Sequence, residues 1–335
     1  MKTVVLAQVG CGYWGPNLLR SFGSVPGARM KTLCDLRPGR LEWARANFPG
    51  LAVTTDFGAV LGDPEVDAVV VAAEPVAHHA LGRKVLAAGK HLFIEKPLAL
   101  TAAGARDLAR RAKAARRSLG VGHVYLYHPG VLALKAALAP RRLGRVQYLD
   151  LARVNPGPPA PKHSVIWDLA PHEVSLAVDL AGSEPVAVRA TGLRWALNVL
   201  EAAFLEIRFA GGVRARIHAS WRGHARVRRL EAYCEKGAAY FDELAVEKLR
   251  LVFPGSDNRA GAGKGFAGAL TYGAPRVEVP SLSRVLPLAA ECADFVAAVR
   301  LGKDPKSGSA LGVTVVRVLE AAEKSALRAG KELAL

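Results

Sequence analysis

Apolar and polar positions follow two different rhythms along the chain, and the change near residue 122 divides it. In the first part, short β-branched apolar runs take turns with stretches whose apolar residues recur every three to four positions. Strands are predicted over 3–9, 28–35, 51–56, 66–73, 91–95 and 119–127, and helices over 15–23, 38–48, 78–89 and 101–118. Pro38 opens one helix and Gly89 closes another. Strands that alternate with helices pair in parallel, so residues 1–122 read as a doubly wound parallel sheet.

Beyond that point alternation of period two dominates. Strands fall within 144–155, 186–197, 199–224, 228–242 and 247–253, joined by short turns such as Ala210-Gly211-Gly212, with helices at 131–139, 168–181 and 287–301. Residues 123–335 therefore read as an α+β domain with an open, largely antiparallel sheet. A sheet face left open needs a cover, which predicts a homodimer or homotetramer through that face. The Gly-rich stretch 255–268 is expected to be a mobile loop; its Lys264 and Gly265 lack the spacing of a P-loop.

Composition narrows the function classes. With 51% apolar and 22% charged residues the chain is an ordinary globular one. No apolar run approaches the roughly 20 residues that span a bilayer. With only Lys2 before the first strand and no cleavage site, the start does not read as a signal peptide. The expectation is a cytoplasmic protein without membrane contact. Cys11, Cys34, Cys234 and Cys292 stand singly, so neither a metal pair nor a disulfide framework is expected. The net charge of +17 raises the question of nucleic acid, but the basic stretches 109–118 and 222–229 read as a solvated helix face and an alternating strand. No nucleic-acid partner is expected; the field suits an anionic small molecule.

Candidate chemistry begins at "VGCGYWGPN", residues 9–17. In a chain with thirty-three glycines, Gly10, Gly12 and Gly15 alone mean little. Here, however, they follow a strand, open a helix and precede Asp35, twenty residues beyond Gly15 at the end of the second strand. That context is the dinucleotide fingerprint of a Rossmann domain. Gly10 permits the turn, Gly12 admits the pyrophosphate, Gly15 lets helix and strand pack, and amides near Cys11, Tyr13 and Trp14 face the phosphates. Asp35 would accept from the adenosine ribose hydroxyls and repel a 2′-phosphate, favouring NAD over NADP; Arg37 and Arg40 pull the other way.

Two further segments carry ionisable groups. In "HLFIEKPLALT" (91–101), an apolar strand delivers Glu95, Lys96 and Pro97 to the carboxyl edge of the parallel sheet, where ligands of such sheets bind. In "WDLAPHEVSLAVDL" (167–180), Asp168 and His172 stand one helical turn apart, with Pro171 tolerated in the first turn. The H-E pair lacks a second histidine at zinc spacing, so no metal is expected.

In order and spacing these segments resemble the Gfo/Idh/MocA family of glucose-fructose oxidoreductases and inositol dehydrogenases. "EPVAHHALGRKVLAAGKHLFIEKPLALT", "VIWDLAPHEVSLAVDLAG" and the closing "PLAAECADFVAAVRLGKDPKSGSALGVTVV" carry the resemblance, which covers nearly the entire chain. The Gly-Tyr-Trp-Gly loop, Trp-Asp-Leu-Ala-Pro-His and Ser-Trp-Arg are most similar to the branch that oxidises C3 of UDP-N-acetylglucosaminuronate or a related nucleotide sugar. The resemblance implies a catalytic trio of Lys96, Asp168 and His172. His172 is the first choice of base, Lys96 the polarising group, with the lysine as alternative base. It also places Ala73, Glu74, Pro75, His78, Glu95 and Lys96 about the cofactor.

Departures from the family pattern are Glu74 where a threonine is usual, Glu173 where His172 is usually followed by aspartate, and Leu286 before "PL". Candidate substrate contacts, beside Lys96 and His172, are Tyr125, His128, Arg153, Asn155, and Lys162 or His163. A dehydrogenase of free sugars or polyols such as inositol is the alternative within the enzyme class. A non-catalytic NAD(P)-binding sensor is the alternative outside it.

Overall fold

The computed structural model describes residues 3–138, 142–156, 163–255 and 274–335. The chain forms two compact units: residues 1–127 with 285–320, and residues 128–284 with 321–335. The sequence placed the division at 122 and gave every later residue to the second domain. The difference arises because the helix Pro287–Leu301 packs its Phe295 into the core of the first unit.

The first unit holds six parallel strands, β1 (Val4–Val9), β2 (Ala28–Cys34), β3 (Ala52–Thr54), β4 (Ala68–Val71), β5 (His91–Ile94) and β6 (Leu119–Val121), in spatial order β3-β2-β1-β4-β5-β6. Crossovers run through α1 (Gly15–Gly23), α2 (Pro38–Asn47), α3 (Phe57–Gly62), α4 (Pro75–Ala87) and α5 (Ala102–Ala115). All four residues of β4 are buried, as expected of a central strand covered on both faces. Order reverses between β1 and β4, whose residues Val9 and Val71 are in register, so the loops after both strands leave the sheet at one place. That is the switch point at which such sheets bind ligands. Beneath it Phe22, Phe93 and Phe295 meet edge to face at 5.3–6.0 Å, and all three are at most 1% exposed. Each such ring contributes about 1.5–3 kcal/mol by burial.

The strand predicted over 119–127 is shorter than expected. β6 ends at Val121, and Val124–Tyr127 forms a 3-10 turn. Tyr127 donates to Asp294 at 2.7 Å and accepts from the amide of Ser307, contacts that a continued strand could not provide.

The second unit is built on a mixed sheet. Its described strands are β7 (Val146–Val154), β8 (Pro185–Leu193), β9 (Ala202–Phe209), β10 (Arg214–Ser220), β11 (Val227–Cys234), β12 (Gly237–Asp242), β13 (Leu249–Phe253), β14 (Arg276–Glu278) and β15 (Leu333–Ala334), ordered β14-β13-β12-β11-β7-β10-β9-β8-β15. Only the β7–β10 pair is parallel among the described pairings of this sheet. The period-two pattern lands as expected. Ala215, Ile217 and Ala219 of β10 and Leu205 and Ile207 of β9 are buried on one face, while Arg214, Arg216, Glu206 and Arg208 alternate onto the other. α6 (Pro129–Leu138) touches β12, and the helix predicted over 168–181 is broken in two, α7 (Val165–Asp168) and α8 (Ala170–Ala181). Pro171, which has no amide hydrogen to donate back to Trp167, accounts for the break at Leu169. α9 is the Pro287–Leu301 helix, and the division between units falls within α10 (Ser309–Ala326). Residues 256–268 of the Gly-rich stretch lie outside the described residues.

Candidate functional site

The glycine loop follows β1 directly. Gly10 has φ +92°, and a Cβ there would lie 2.6 Å from the carbonyl oxygen of Ala72, so only glycine fits. A Cβ on Gly15 would press at 3.1 Å on Gln8 Nε2 and on the carbonyl oxygen of Gly10, which is the close strand–helix approach expected of it. Gly12 has nothing within 4 Å, so its backbone faces open space. The sequence did not single out Gln8. Fully buried, it donates from Nε2 to the carbonyls of Gly10 (2.8 Å) and Gly15 (3.1 Å), stapling the loop from below. Tyr13 is almost fully exposed and Trp14 partly so, with α1 beginning at Gly15 behind them.

Asp35, just past β2, is buried and its carboxylate is heavily used. Oδ2 accepts from the Cys11 amide at 2.7 Å and from Arg37 Nη2 at 2.9 Å, while Oδ1 accepts the Arg37 amide and Nε, both at 2.9 Å. Burial opposes the charge, but these donors, Arg37 foremost, hold the carboxyl below its ordinary value. The bond to Cys11 ties the end of β2 to the glycine loop. Leaving Gly10, Gly12 and Asp35 where they are, the arrangement fits a dinucleotide: an open glycine, helix amides, and a fixed carboxylate.

Ala73, Glu74 and Pro75 lie between β4 and α4. Glu74 is exposed at the start of α4, where an anion is favoured by the helix dipole, and it acts electrostatically on Arg37. His78 is fully buried: Nδ1 stands 2.7 Å from the Pro97 carbonyl and Nε2 3.0 Å from the Ala73 carbonyl. The ring thus sits between the Ala73 loop and the Glu95–Pro97 loop, its N–H donated to a carbonyl of one of them. Glu95 and Lys96 leave β5 at the same carboxyl edge, and Glu95 Oε2 accepts the Lys96 amide at 3.1 Å. Tyr125 lies in the 3-10 turn, half-buried.

In the second unit Asp168 ends α7 and His172 lies in the first turn of α8. Trp221, just after β10, donates from Nε1 to Asp168 Oδ2 at 3.0 Å. Trp167 is anchored by Glu323 of α10, which also accepts from Ser164 at 2.6 Å. Arg153 and Arg228 are cross-strand neighbours on β7 and β11. Arg153 Nε reaches Glu173 Oε1 at 2.6 Å with both side chains buried. Burial pushes the Glu173 carboxyl up, and Arg153, then Arg228, pull it back. The glutamate that departs from the family pattern is thus the counter-charge of an arginine expected at the substrate. Arg228 Nη2 donates to Asn155 Oδ1 at 2.5 Å. His128 is buried, accepting from the Gly130 amide at 3.0 Å and packing edge-on against Phe241 at 4.8 Å. His163 is half-buried, and Lys162 lies outside the described residues.

No group of His, Cys, Asp and Glu among the described residues is arranged to hold a metal, and no described helix is long and apolar enough to cross a membrane. A parallel sheet with a glycine loop and a buried aspartate at its switch point, in a chain with a second, open mixed sheet, has the architecture of a dinucleotide-binding oxidoreductase. Residues 4–123 match the oxidoreductase family with NAD-binding Rossmann fold, and residues 131–240 match the GFO/IDH/MocA C-terminal domain. The chain belongs to the Gfo/Idh/MocA family. It is 30% identical over 236 residues to UDP-N-acetylglucosamine 3-dehydrogenase of Acidithiobacillus ferrooxidans, covering 70% of this chain and 71% of that one. A solved structure of that enzyme superposes with a TM-score of 0.83 at 25% identity, over 97% of this chain and 98% of the other. Inositol 2-dehydrogenase of Acidothermus cellulolyticus is 34% identical over 197 residues, and the matched stretch spans only 58% of each chain.

Proposed function

We propose that this protein is an NAD-dependent dehydrogenase that oxidises a secondary hydroxyl of a nucleotide-linked sugar, at C3 of a UDP-N-acetyl-hexosaminuronate or a close relative. The observation that carries the reading is the hydrogen bond from Trp221 to Asp168, directly before the turn that holds His172. It fixes an acid beside a histidine, while Lys96 is delivered to the ligand edge of the parallel sheet. Similarity to the Acidithiobacillus enzyme supports the substrate class.

NAD, when bound, would supply the hydride acceptor. Gly10, Cys11, Gly12, Tyr13, Trp14 and Gly15 would hold its pyrophosphate side, and Asp35 the adenosine ribose. Ala73, Pro75, Glu95 and Lys96 would border the nicotinamide end. As the carbinol carbon loses hydride, its hydroxyl proton passes to the imidazole of His172. The Lys96 ammonium stabilises the developing alkoxide, and Asp168, held by Trp221, orients its neighbours. Arg153 and Asn155 would act on the anionic part of the substrate, with Tyr125 and His128 at its rim. The reading places the work in the cytoplasm, with dimers or tetramers formed through the exposed sheet face of Tyr148, Phe204, Arg214 and Arg216. There Phe204 and His218 stack at 4.5 Å, apolar surface that a second copy would cover.

NAD reduction assayed with UDP-linked and free sugars tests the assignment, and turnover with none of them sinks it. The inositol dehydrogenases among the relatives favour a second reading, oxidation of a free polyol, which the same assay separates.

A further inference from the structure

Behind Lys96 the first unit buries ionisable groups to which the reaction above gives no chemical role. The Glu95 carboxyl lies flat against Gly122: a Cβ there would fall 2.8 Å from Oε2, 2.9 Å from Cδ and 3.0 Å from Oε1. Any larger residue at 122 would displace it. His123 follows, 1% exposed, and neither ring nitrogen has a hydrogen-bond partner among the described residues. From α9 comes Glu291, also 1% exposed, both of whose oxygens lack such a partner. Asp294, one turn on, is satisfied by Tyr127 Oη at 2.7 Å and the Lys306 amide at 2.8 Å.

The charges around Glu95 can be enumerated by element. Lys96 follows it in the chain, His78 stands on α4, Glu291 and Asp294 on α9, and His123 and Tyr127 after β6. Lys306 lies over the Tyr127 ring at 5.6 Å. A buried carboxyl with no donor cannot keep a charge. Burial, with Glu95 and Asp294 adding repulsion, puts Glu291 well above the usual carboxylate range. Burial and the Lys96 charge push His123 down to about 3, so it is neutral. Glu95 is different, because burial raises it to about 7 against the pull of Lys96 and its amide. Glu95 therefore changes charge near neutrality, and it does so next to the lysine.

We propose that Glu95 is the positioning residue for Lys96: its carboxyl, packed against Gly122 and accepting the Lys96 amide, fixes the turn that carries the lysine, with His123 and Glu291 buried around it. This rests on the assignment of Lys96 to the reaction. A purely structural glutamate would be equally well replaced by glutamine at every pH. A switching one leaves its mark on the pH profile: kcat follows the ionised fraction of Glu95 and falls as pH drops through neutrality.

The experiment follows carboxyl carbons by NMR in the whole protein, uniformly labelled at glutamate, together with kcat against pH for wild type, Glu95→Gln and Glu291→Gln. One carboxyl should titrate near neutrality, vanish in Glu95→Gln and persist in Glu291→Gln, whose amide mimics a protonated acid. With a turned-over sugar, Glu95→Gln should lower kcat roughly tenfold at alkaline pH and lose its share of the acid limb, with KM nearly constant. Absence of a carboxyl titrating near neutrality overturns the proposal whether or not a substrate is known. So does a wild-type pH profile in Glu95→Gln, which leaves the dehydrogenase reading intact. Lack of turnover by the wild type with every sugar strikes that reading instead, and the titration still decides the state of Glu95.

Discussion

Arg37 closes both oxygens of Asp35, with Nε and Nη2 each at 2.9 Å, while its own side chain stays more than half exposed. An adenosine ribose that donates its hydroxyls to Asp35 must displace that guanidinium, whereas a 2′-phosphate could use it. We expect NADH to bind more tightly than NADPH, because Asp35 stays buried and charged, and Asp35→Ala to narrow the gap. Arg37→Ala should widen it, since the competitor for Asp35 is gone. Fluorescence titration of both nucleotides checks this. NADPH binding about tenfold tighter to the wild type, a difference of about 1.4 kcal/mol, would reverse the cofactor assignment.

Lys96→Ala and His172→Ala should each lower kcat by on the order of 10²-fold or more with NADH affinity little changed, as expected when a positioned base or charge is lost. Steady-state kinetics beside a nucleotide titration separates the two effects. Wild-type turnover in both variants would make the pair structural and bring the sensor reading forward.

Trp221→Phe keeps an aromatic ring but removes the 3.0 Å bond to Asp168. The expected cost is about 1 kcal/mol in unfolding free energy, with kcat reduced and NADH binding unaffected because the change lies in the second unit. If kcat stays at the wild-type value, Asp168 needs no such support.

What the sequence made legible was what fixed spacing encodes. The three glycines and Asp35 stand at intervals dictated by a strand, a turn and a helix, and the structure sets them at one sheet edge. The period-two runs of the second unit likewise became alternating faces. Contacts between distant residues left no such trace. Nothing in "SWR" announces that Trp221 reaches Asp168, fifty-three residues earlier, nor in "ARV" that Arg153 is neutralised by Glu173. Gln8 inside an apolar strand was a visible anomaly, a polar residue where burial demands partners, and could have been read as the loop's staple. The break at Leu169 was signalled by Pro171, but helical periodicity continues across it.

Glu95 also carries a stability signature. Its folded carboxyl titrates at about 7, above its ordinary 4.5, so ionisation is disfavoured in the folded chain. The wild type should therefore lose stability relative to Glu95→Gln as pH rises from the ordinary value to about 7, and level off above it. The full difference is on the order of 3 kcal/mol. Urea unfolding of both proteins at acid and at mildly alkaline pH measures it; a difference that does not change with pH would show that Glu95 is ionised or protonated throughout.

The substrate class is tested most directly through charge. A chain of net charge +17 carries an overall positive field, and a nucleotide-linked sugar acid carries a diphosphate and a carboxylate. Arg153 is buried against Glu173, so the pair as a whole presents little net charge. Long-range attraction of an anion then falls to the field and to exposed arginines such as Arg226. Interactions of that exposed kind are screened over a Debye length of about 8–10 Å near physiological ionic strength. The KM for a UDP-linked uronate should thus rise several-fold between low and moderate salt, while the KM for a neutral polyol should hardly move. NAD reduction measured with UDP-N-acetylglucosaminuronate, UDP-N-acetylglucosamine, glucose and myo-inositol at two ionic strengths makes the comparison. Turnover confined to the free polyols, with no dependence on salt, would remove the nucleotide-sugar assignment and favour the polyol reading.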